Sequence, residues 1–191
     1  MNNNNQDWSV VESCLHGDRQ DYALLVKKYE RPVFNIVYRL TSDFDMASDI
    51  TQETFLKAYR SLRQVKAEFK FSNWLFKIAT NLCREQFKKK KPAVEIYLDE
   101  STAVAESIIP FNDSNNSLNP EEKLVLKEEQ KQVLGAIESL PFIYRKIIVL
   151  RYIQDLAYKE IAAILKIPMG RVKVQLHRAH KILRNELANI L

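Results

Sequence analysis

The stretch Tyr158 to Arg184, YKEIAAILKIPMGRVKVQLHRAHKILR, holds two helical patterns separated by a turn. Ile161, Ala162 and Leu165 share one side of a short helix predicted over 158–166, with Ala162 small where a neighbouring helix must approach. Ile167-Pro168-Met169-Gly170 supplies the turn, and a long helix is predicted from about Arg171 to the C-terminus. There Val172, Leu176, Ala179 and Leu183 recur at four, three and four, which predicts the buried stripe. Left outside are Arg171, Lys173, Gln175, Arg178, Lys181 and Arg184, with His177 and His180. A helix lying in a DNA major groove needs such a face: Arg and Gln reach base edges in pairs of hydrogen bonds, and Lys neutralises phosphate. A three-helix bundle with a solvated basic surface satisfies the same pattern. His177 and His180 have no carboxylate or thiol at helical spacing beside them, which argues against a metal site.

Working outward, the period of three and four dominates the chain. Tyr22, Leu25, Val26, Tyr29, Val33, Ile36, Val37 and Leu40 predict a helix over 19–41, with Pro32 a potential kink. Met46, Ala47, Ile50, Phe55, Ala58, Tyr59 and Leu62 predict another over 43–63, capped by Asp43 or Asp45. After an irregular piece at 64–71, Ser72 is placed to cap a helix that runs to Lys91 and stops at Pro92. Asn119-Pro120-Glu121 opens a helix toward Ser139, and a further helix starts near Pro141 and carries Ile143, Ile147, Ile148, Leu150, Tyr152 and Ile153. No strand signal and no repeat emerge. The reading is an all-α chain of two small helical domains, 1–91 and 121–191, joined by a flexible acidic linker, 92–120.

Composition agrees. Three glycines in 191 residues disfavour folds built from many tight turns, and 46% hydrophobic residues suffice for a packed core. The net charge of +5 conceals a division: residues 1–92 carry +5, residues 93–120 carry −5 with no basic side chain, and residues 121–191 carry +5. Two basic blocks suit a polyanionic partner, although ordinary solvated helices account for the charge equally well. Two cysteines, Cys14 and Cys83, are too few for a disulfide framework. No apolar run approaches the length of a membrane span, and the Asn-rich start lacks a signal-peptide pattern. The expected location is cytoplasmic.

Two N-terminal segments carry candidate chemistry. On the helix over 43–63, Asp49, Gln52, Glu53 and Lys57 form a mixed polar face, fit either for solvent or for a protein partner. From Lys66 to Lys91 the sequence KAEFKFSNWLFKIATNLCREQFKKKK interleaves aromatic and basic residues. Single-stranded nucleic acid is bound by that combination, because bases stack on aromatic faces while cations track the backbone. Trp74, Leu75, Ile78, Ala79 and Leu82 also form a core stripe, so Trp74 and Leu75 read as structural. Phe69, Lys70 and Phe71 fall in the predicted loop, where packing explains them less well.

Three motifs in this order resemble the extracytoplasmic-function (ECF, group 4) sigma factors of the bacterial sigma-70 family, nearest to a sigma-W-like branch. Residues 47–55, ASDITQETF, are similar to the family's core-polymerase-binding segment. Residues 74–81, WLFKIATN, are similar to its minus-ten recognition helix. Leu140-Pro141, Glu160-Ile161-Ala162, Gly170-Arg171-Val172-Lys173 and His177-Arg178-Ala179 are similar to its minus-thirty-five helix-turn-helix.

The resemblance implies a promoter-specificity subunit with no catalysis and no cofactor, partnered by core polymerase (clamp helices and flap) and promoter DNA. It implies polymerase contacts at Asp49, Gln52, Glu53 and Lys57. It implies capture of an extruded minus-ten base by Phe69, Lys70, Phe71, Ser72, Asn73, Lys77 and Asn81, with Arg84 and Lys88 on phosphates. Duplex reading falls to Arg171, Lys173, Val174, Gln175, His177, Arg178 and Lys181. Val174 stands where many relatives have Ser, offering a methyl contact to thymine in place of a hydrogen bond. A membrane-associated anti-sigma factor and an envelope-stress role are further expectations by analogy. So is a linker that threads a basic polymerase channel, pinned by the apolar knot Ile108–Phe111. Two other readings stay open: a stand-alone helix-turn-helix regulator, and a helical adaptor for acidic proteins.

Overall fold

The computed structural model describes residues 3–65, 70–90 and 131–188. The acidic linker, its apolar knot, the helix start at Asn119–Glu121 and Phe69 lie outside the described residues. Eight α-helices and no strand occur among those described. Helices α1 (Asn3–Leu15), α2 (Tyr22–Thr41), α3 (Phe44–Arg60) and α4 (Phe71–Lys90) form the N-terminal bundle; α5 (131–139), α6 (Phe142–Ile148), α7 (Tyr158–Leu165) and α8 (Met169–Ala188) form the C-terminal one.

The predicted stripes are the buried ones. α2 buries Leu25, Tyr29, Val33, Ile36, Val37 and Leu40, and continues through Pro32. α3 buries Ala47, Ile50, Phe55 and Ala58, with Thr51 and Thr54 turning their hydroxyls back onto the Ala47 and Ile50 carbonyls. Asp43 caps α3 by accepting the Met46 N–H at 3.0 Å. Tyr59 is exposed, its ring 5.0 Å from that of Tyr22. α4 begins at Phe71, one residue before the Ser72 cap that was expected. The Lys70 carbonyl accepts the N–H groups of Asn73 and Trp74, so Lys70 takes the capping position.

α1 was not anticipated in the Asn-rich start. It is anchored by tertiary contacts that local sequence does not display. Asp7 is buried and accepts from Lys28 Nζ and Tyr29 Oη, each at 2.5 Å, which offsets the desolvation of its charge.

In the C-terminal half α6 runs into one wide π turn, Val149–Ile153, and the chain then bends at Asp155, φ +47°. The Arg151 guanidinium packs over the rings of Tyr152 and Tyr158 and donates to the Leu156 carbonyl at 3.2 Å. Glu160 reaches back to the Ala157 N–H at 2.9 Å and starts α7; Lys166, in left-handed conformation, ends it. The Pro168 carbonyl accepts from Arg171 and Val172, so α8 begins at Met169, two residues before the expected start.

The two bundles pack on each other, and their buried apolar side chains form one continuous cluster. Phe87 of α4 meets Phe142 of α6 with ring centroids 4.6 Å apart. Arg145 of α6 donates to the Leu40 carbonyl at 2.9 Å, to the Leu140 carbonyl at 3.0 Å, and to the Glu138 carbonyl. Arg39 of α2 faces Glu138 at 3.7 Å. α7 lies along α4, where Glu160 meets Lys70 at 2.8 Å.

Candidate nucleic-acid and polymerase interfaces

Three helix faces gather most of the residues singled out from sequence. The first is on α3. Asp49 and Gln52 are exposed on the side opposite the Ala47–Ile50–Ala58 stripe, while the exposed Lys57 and the half-buried Glu53 flank it on the side of Ile50. Lys57 reaches Glu53 at 3.3 Å and Glu85 of α4 at 3.7 Å. These ion pairs are open to solvent, so they organise the surface more than they stabilise it. Leu56 is 56% exposed among these polar residues. Its signal in the sequence was an apolar side chain off the buried period; the sequence reading passed over it.

The second face is on α4. Positions 70, 73, 77, 81, 84 and 88 follow steps of three and four, so Lys70, Asn73, Lys77, Asn81, Arg84 and Lys88 form one polar stripe along the helix. Lys70, Asn81, Arg84 and Lys88 are exposed; Ser72, Asn73 and Lys77 are half-buried. Burial pulls the Lys77 pKa down, and the neighbouring Lys166 ammonium adds to the shift. Phe71 departs from expectation. It is fully buried, with ring centroids 5.6 Å from both Tyr29 and Trp74, and it opens the helix instead of lying in a loop. A ring so enclosed cannot stack on a base, so Phe71 belongs to the core.

The third face is on α8. Val172, Leu176 and Ala179 are buried and hold the helix against α6 and α7. Arg171, Lys173 and Lys181 are exposed; Val174, His177 and Arg178 are half-buried. Gln175 is the second correction: it is 8% exposed, and its Oε1 is buried without a hydrogen-bond partner. At roughly 100° per residue, Gln175 falls about 60° from Val172 and about 40° from Ala179, within the buried arc. The sequence stripe chose Leu176 and left Gln175 outside, although both belong to the packed side.

Residues 25–92 match the family model of sigma-70 region 2, and residues 130–183 match that of sigma-70 region 4. The chain is 36% identical over 181 residues to the ECF RNA polymerase sigma factor SigW of Bacillus subtilis, covering 94% of this chain and 96% of that one. This chain belongs to the ECF RNA polymerase sigma factors. It is also 33% identical over 189 residues to the ECF RNA polymerase sigma-E factor of Escherichia coli K12, covering 97% and 96% of the two chains. The fold resembles that of CnrH solved in complex with the cytosolic domain of CnrY, at TM-score 0.66 and 19% identity, with 94% and 96% covered. It also resembles the sigma factor RpoE of Bartonella quintana solved with the anti-sigma factor NepR, at TM-score 0.63 and 21% identity, with 88% and 98% covered. No comparison supports a stand-alone regulator. As a sigma factor, the protein directs core RNA polymerase to promoters.

In this sigma factor His180 is half-buried instead of lying free on the outer face, with Nε2 2.8 Å from Tyr152 Oη. Burial, then the nearby His177 and Arg184, hold its pKa below the ordinary imidazole value. The unfolded chain therefore takes up the proton more readily than the folded one. Stability of the C-terminal bundle should fall as pH drops through the ordinary histidine range, from about pH 7 to about pH 5.5. Urea titrations across that range should show the fall, and His180→Gln should flatten it. A slope unchanged by the substitution would assign the pH dependence elsewhere.

Other chemistry is sparse. No group of three His, Cys, Asp or Glu residues able to hold a metal occurs among the described residues. Cys83 is buried, which pushes its thiol up to about 12, far from reactive thiolate. No described helix is long and apolar enough to cross a membrane.

Proposed function

We propose that the promoter is read in two forms by two of these faces: as duplex at the minus-thirty-five element by α8, and as opened strand at the minus-ten element by α4. The observation that carries this reading is the pair of polar, cation-rich stripes, each set on a helix whose opposite side is locked into the core. A rigid helix with outward cations suits both groove entry and backbone tracking. The duplex readers are Arg171, Lys173, Val174, His177, Arg178 and Lys181. The strand readers are Lys70, Ser72, Asn73, Lys77 and Asn81, with Arg84 and Lys88 on phosphates and Phe69 added from the sequence pattern. The functional units are residues 1–91 and 121–191, joined by the acidic segment 92–120. The factor makes and breaks no bond; the polymerase does.

Asp49, Gln52 and Glu53 of α3, with Lys57 and the exposed Leu56 between them, form the surface for the polymerase clamp helices. Charge and an apolar centre together suit a protein partner better than a solvated face. Asp49→Lys with Gln52→Ala should weaken binding to core polymerase by roughly tenfold or more while leaving helical content intact, since neither side chain is buried. Analytical ultracentrifugation with purified core enzyme checks this; unchanged affinity would move the docking surface off α3. The protein acts in the cytoplasm. By analogy with its relatives, it is held by a membrane-associated anti-sigma factor until envelope stress releases it.

A further inference from the structure

Behind the start of α4 runs a chain of hydrogen bonds that reaches back to α1. Asp7 is 4% exposed. Its two carboxylate oxygens have separate partners: Lys28 Nζ at Oδ1 and Tyr29 Oη at Oδ2, each at 2.5 Å. Tyr29 is hydrogen-bonded in turn to the Ser72 side chain. Ser72 is half-buried, the second residue of α4, and one of the strand readers assigned above. The Phe71 ring, its centroid 5.6 Å from that of Tyr29, packs α4 against α2 at this point.

The direction of each bond follows from which groups hold protons. A carboxylate only accepts, so Tyr29 gives its proton to Asp7. A phenol has a single proton, so toward Ser72 the Tyr29 oxygen can only accept. Ser72 also has a single proton, and that proton goes to Tyr29. What the Ser72 oxygen has left is its lone pairs. Burial, then the bond to Asp7, raise the Tyr29 pKa, so the phenol keeps the proton on which this order depends.

We propose that Asp7 and Tyr29 are positioning residues for promoter reading: they hold Ser72 as an acceptor only, matched to a minus-ten base that presents an exocyclic amino group. This deepens the α4 assignment and rests on Ser72 meeting the opened strand. Cytosine and adenine carry such an N–H donor, whereas thymine has a carbonyl in the place of the cytosine amino group. Against the Ser72 oxygen that carbonyl would set two acceptors face to face with no proton between them, which is worse than a bond merely missing. α1 thereby takes part in base choice without touching DNA.

The test uses holoenzyme, assembled from the full chain and core polymerase, on promoters pre-opened across the minus-ten element. Each non-template position there carries in turn the four bases, and then cytosine and adenine without their amino groups (pyrimidin-2-one and purine). At one position the wild-type factor should hold the amino-bearing base roughly threefold to tenfold more tightly than its amino-free analogue. Tyr29→Phe keeps the ring against Phe71 and frees the Ser72 hydroxyl to rotate, so the preference at that position should vanish. Asp7→Asn should turn it toward thymine. Its amide oxygen stays on Lys28 and its N–H groups face Tyr29, so Tyr29 donates to Ser72, whose proton swings outward. Both readouts are ratios within one preparation, so partial unfolding does not mimic them. In a Ser72→Ala background neither substitution should alter the ratio.

A wild-type factor with no such position, variants that keep the wild-type preference, or changes that persist without the Ser72 hydroxyl would overturn the proposal. Arg84→Ala separates it from the assignment beneath it, because a lost phosphate contact should weaken binding to every strand alike. If that weakening appears while Tyr29→Phe and Asp7→Asn keep the wild-type preference, the positioning role fails and the α4 assignment stands. If Arg84→Ala also changes nothing, the assignment fails and the positioning role falls with it.

Discussion

Phe71→Ala is expected to destabilise the N-terminal bundle by about 3–5 kcal/mol, the usual cost of emptying a fully enclosed phenylalanine site. The ring has no exposed surface and touches both Tyr29 and Trp74. It also starts α4, so the cavity opens where the helix is set against α2. Tyr29 also donates to Asp7, one of the contacts, with the buried Val11, that tie α1 to the bundle. Loss of the Phe71 ring should therefore loosen α1 as well. In urea the unfolding midpoint should fall by about 1–3 M for a typical dependence on denaturant. Promoter opening should be lost along with the fold, not ahead of it. A variant of wild-type stability that fails only at promoter opening would return Phe71 to a base-stacking role.

Replacing Arg171 and Lys173 together with Ala should reduce transcription from a matched promoter by roughly 10- to 100-fold, because each good base-edge contact is worth about 1–3 kcal/mol. Both side chains are exposed at the start of α8, the end that enters the groove in a helix-turn-helix. The loss should be largest on promoters that depend on the upstream element and should spare folding. Gln175→Ala is the matched control. Its side chain is packed inside and its Oε1 has no partner, so removal should leave promoter choice unchanged and stability equal or slightly higher. Abortive-initiation assays on promoters substituted base by base would separate the two outcomes. A change of sequence preference in Gln175→Ala would place that side chain back on the DNA.

The sequence displayed the helices because their burial is periodic. The α2 stripe from Leu25 to Leu40, the Asp43 cap and the Val172–Leu176–Ala179 seam are local patterns that the fold uses as written. Errors came where a residue's type and its angular position disagree. Gln175 is polar but stands within the buried arc of α8. Phe71 follows a basic residue in an irregular stretch, yet the helix begins at Phe71 itself, one residue before the expected Ser72 cap, and draws the ring inside. Tyr59 and Leu56 are the converse, apolar side chains left in solvent. Contacts between distant segments have no local signature at all. The Asp7 anchor of α1, Arg145 on the Leu40 carbonyl and Glu160 on Lys70 each join parts of the chain whose sequences give no hint of one another.

The most direct measurement combines the purified chain with core RNA polymerase, transcribes sheared genomic DNA and sequences the RNA 5′ ends. Discrete start sites should appear that core enzyme alone does not give, preceded by two shared sequence elements at a fixed separation. The Arg171→Ala, Lys173→Ala variant should lose the starts that depend on the upstream element. An absence of discrete starts, or starts indifferent to α8, would contradict the account.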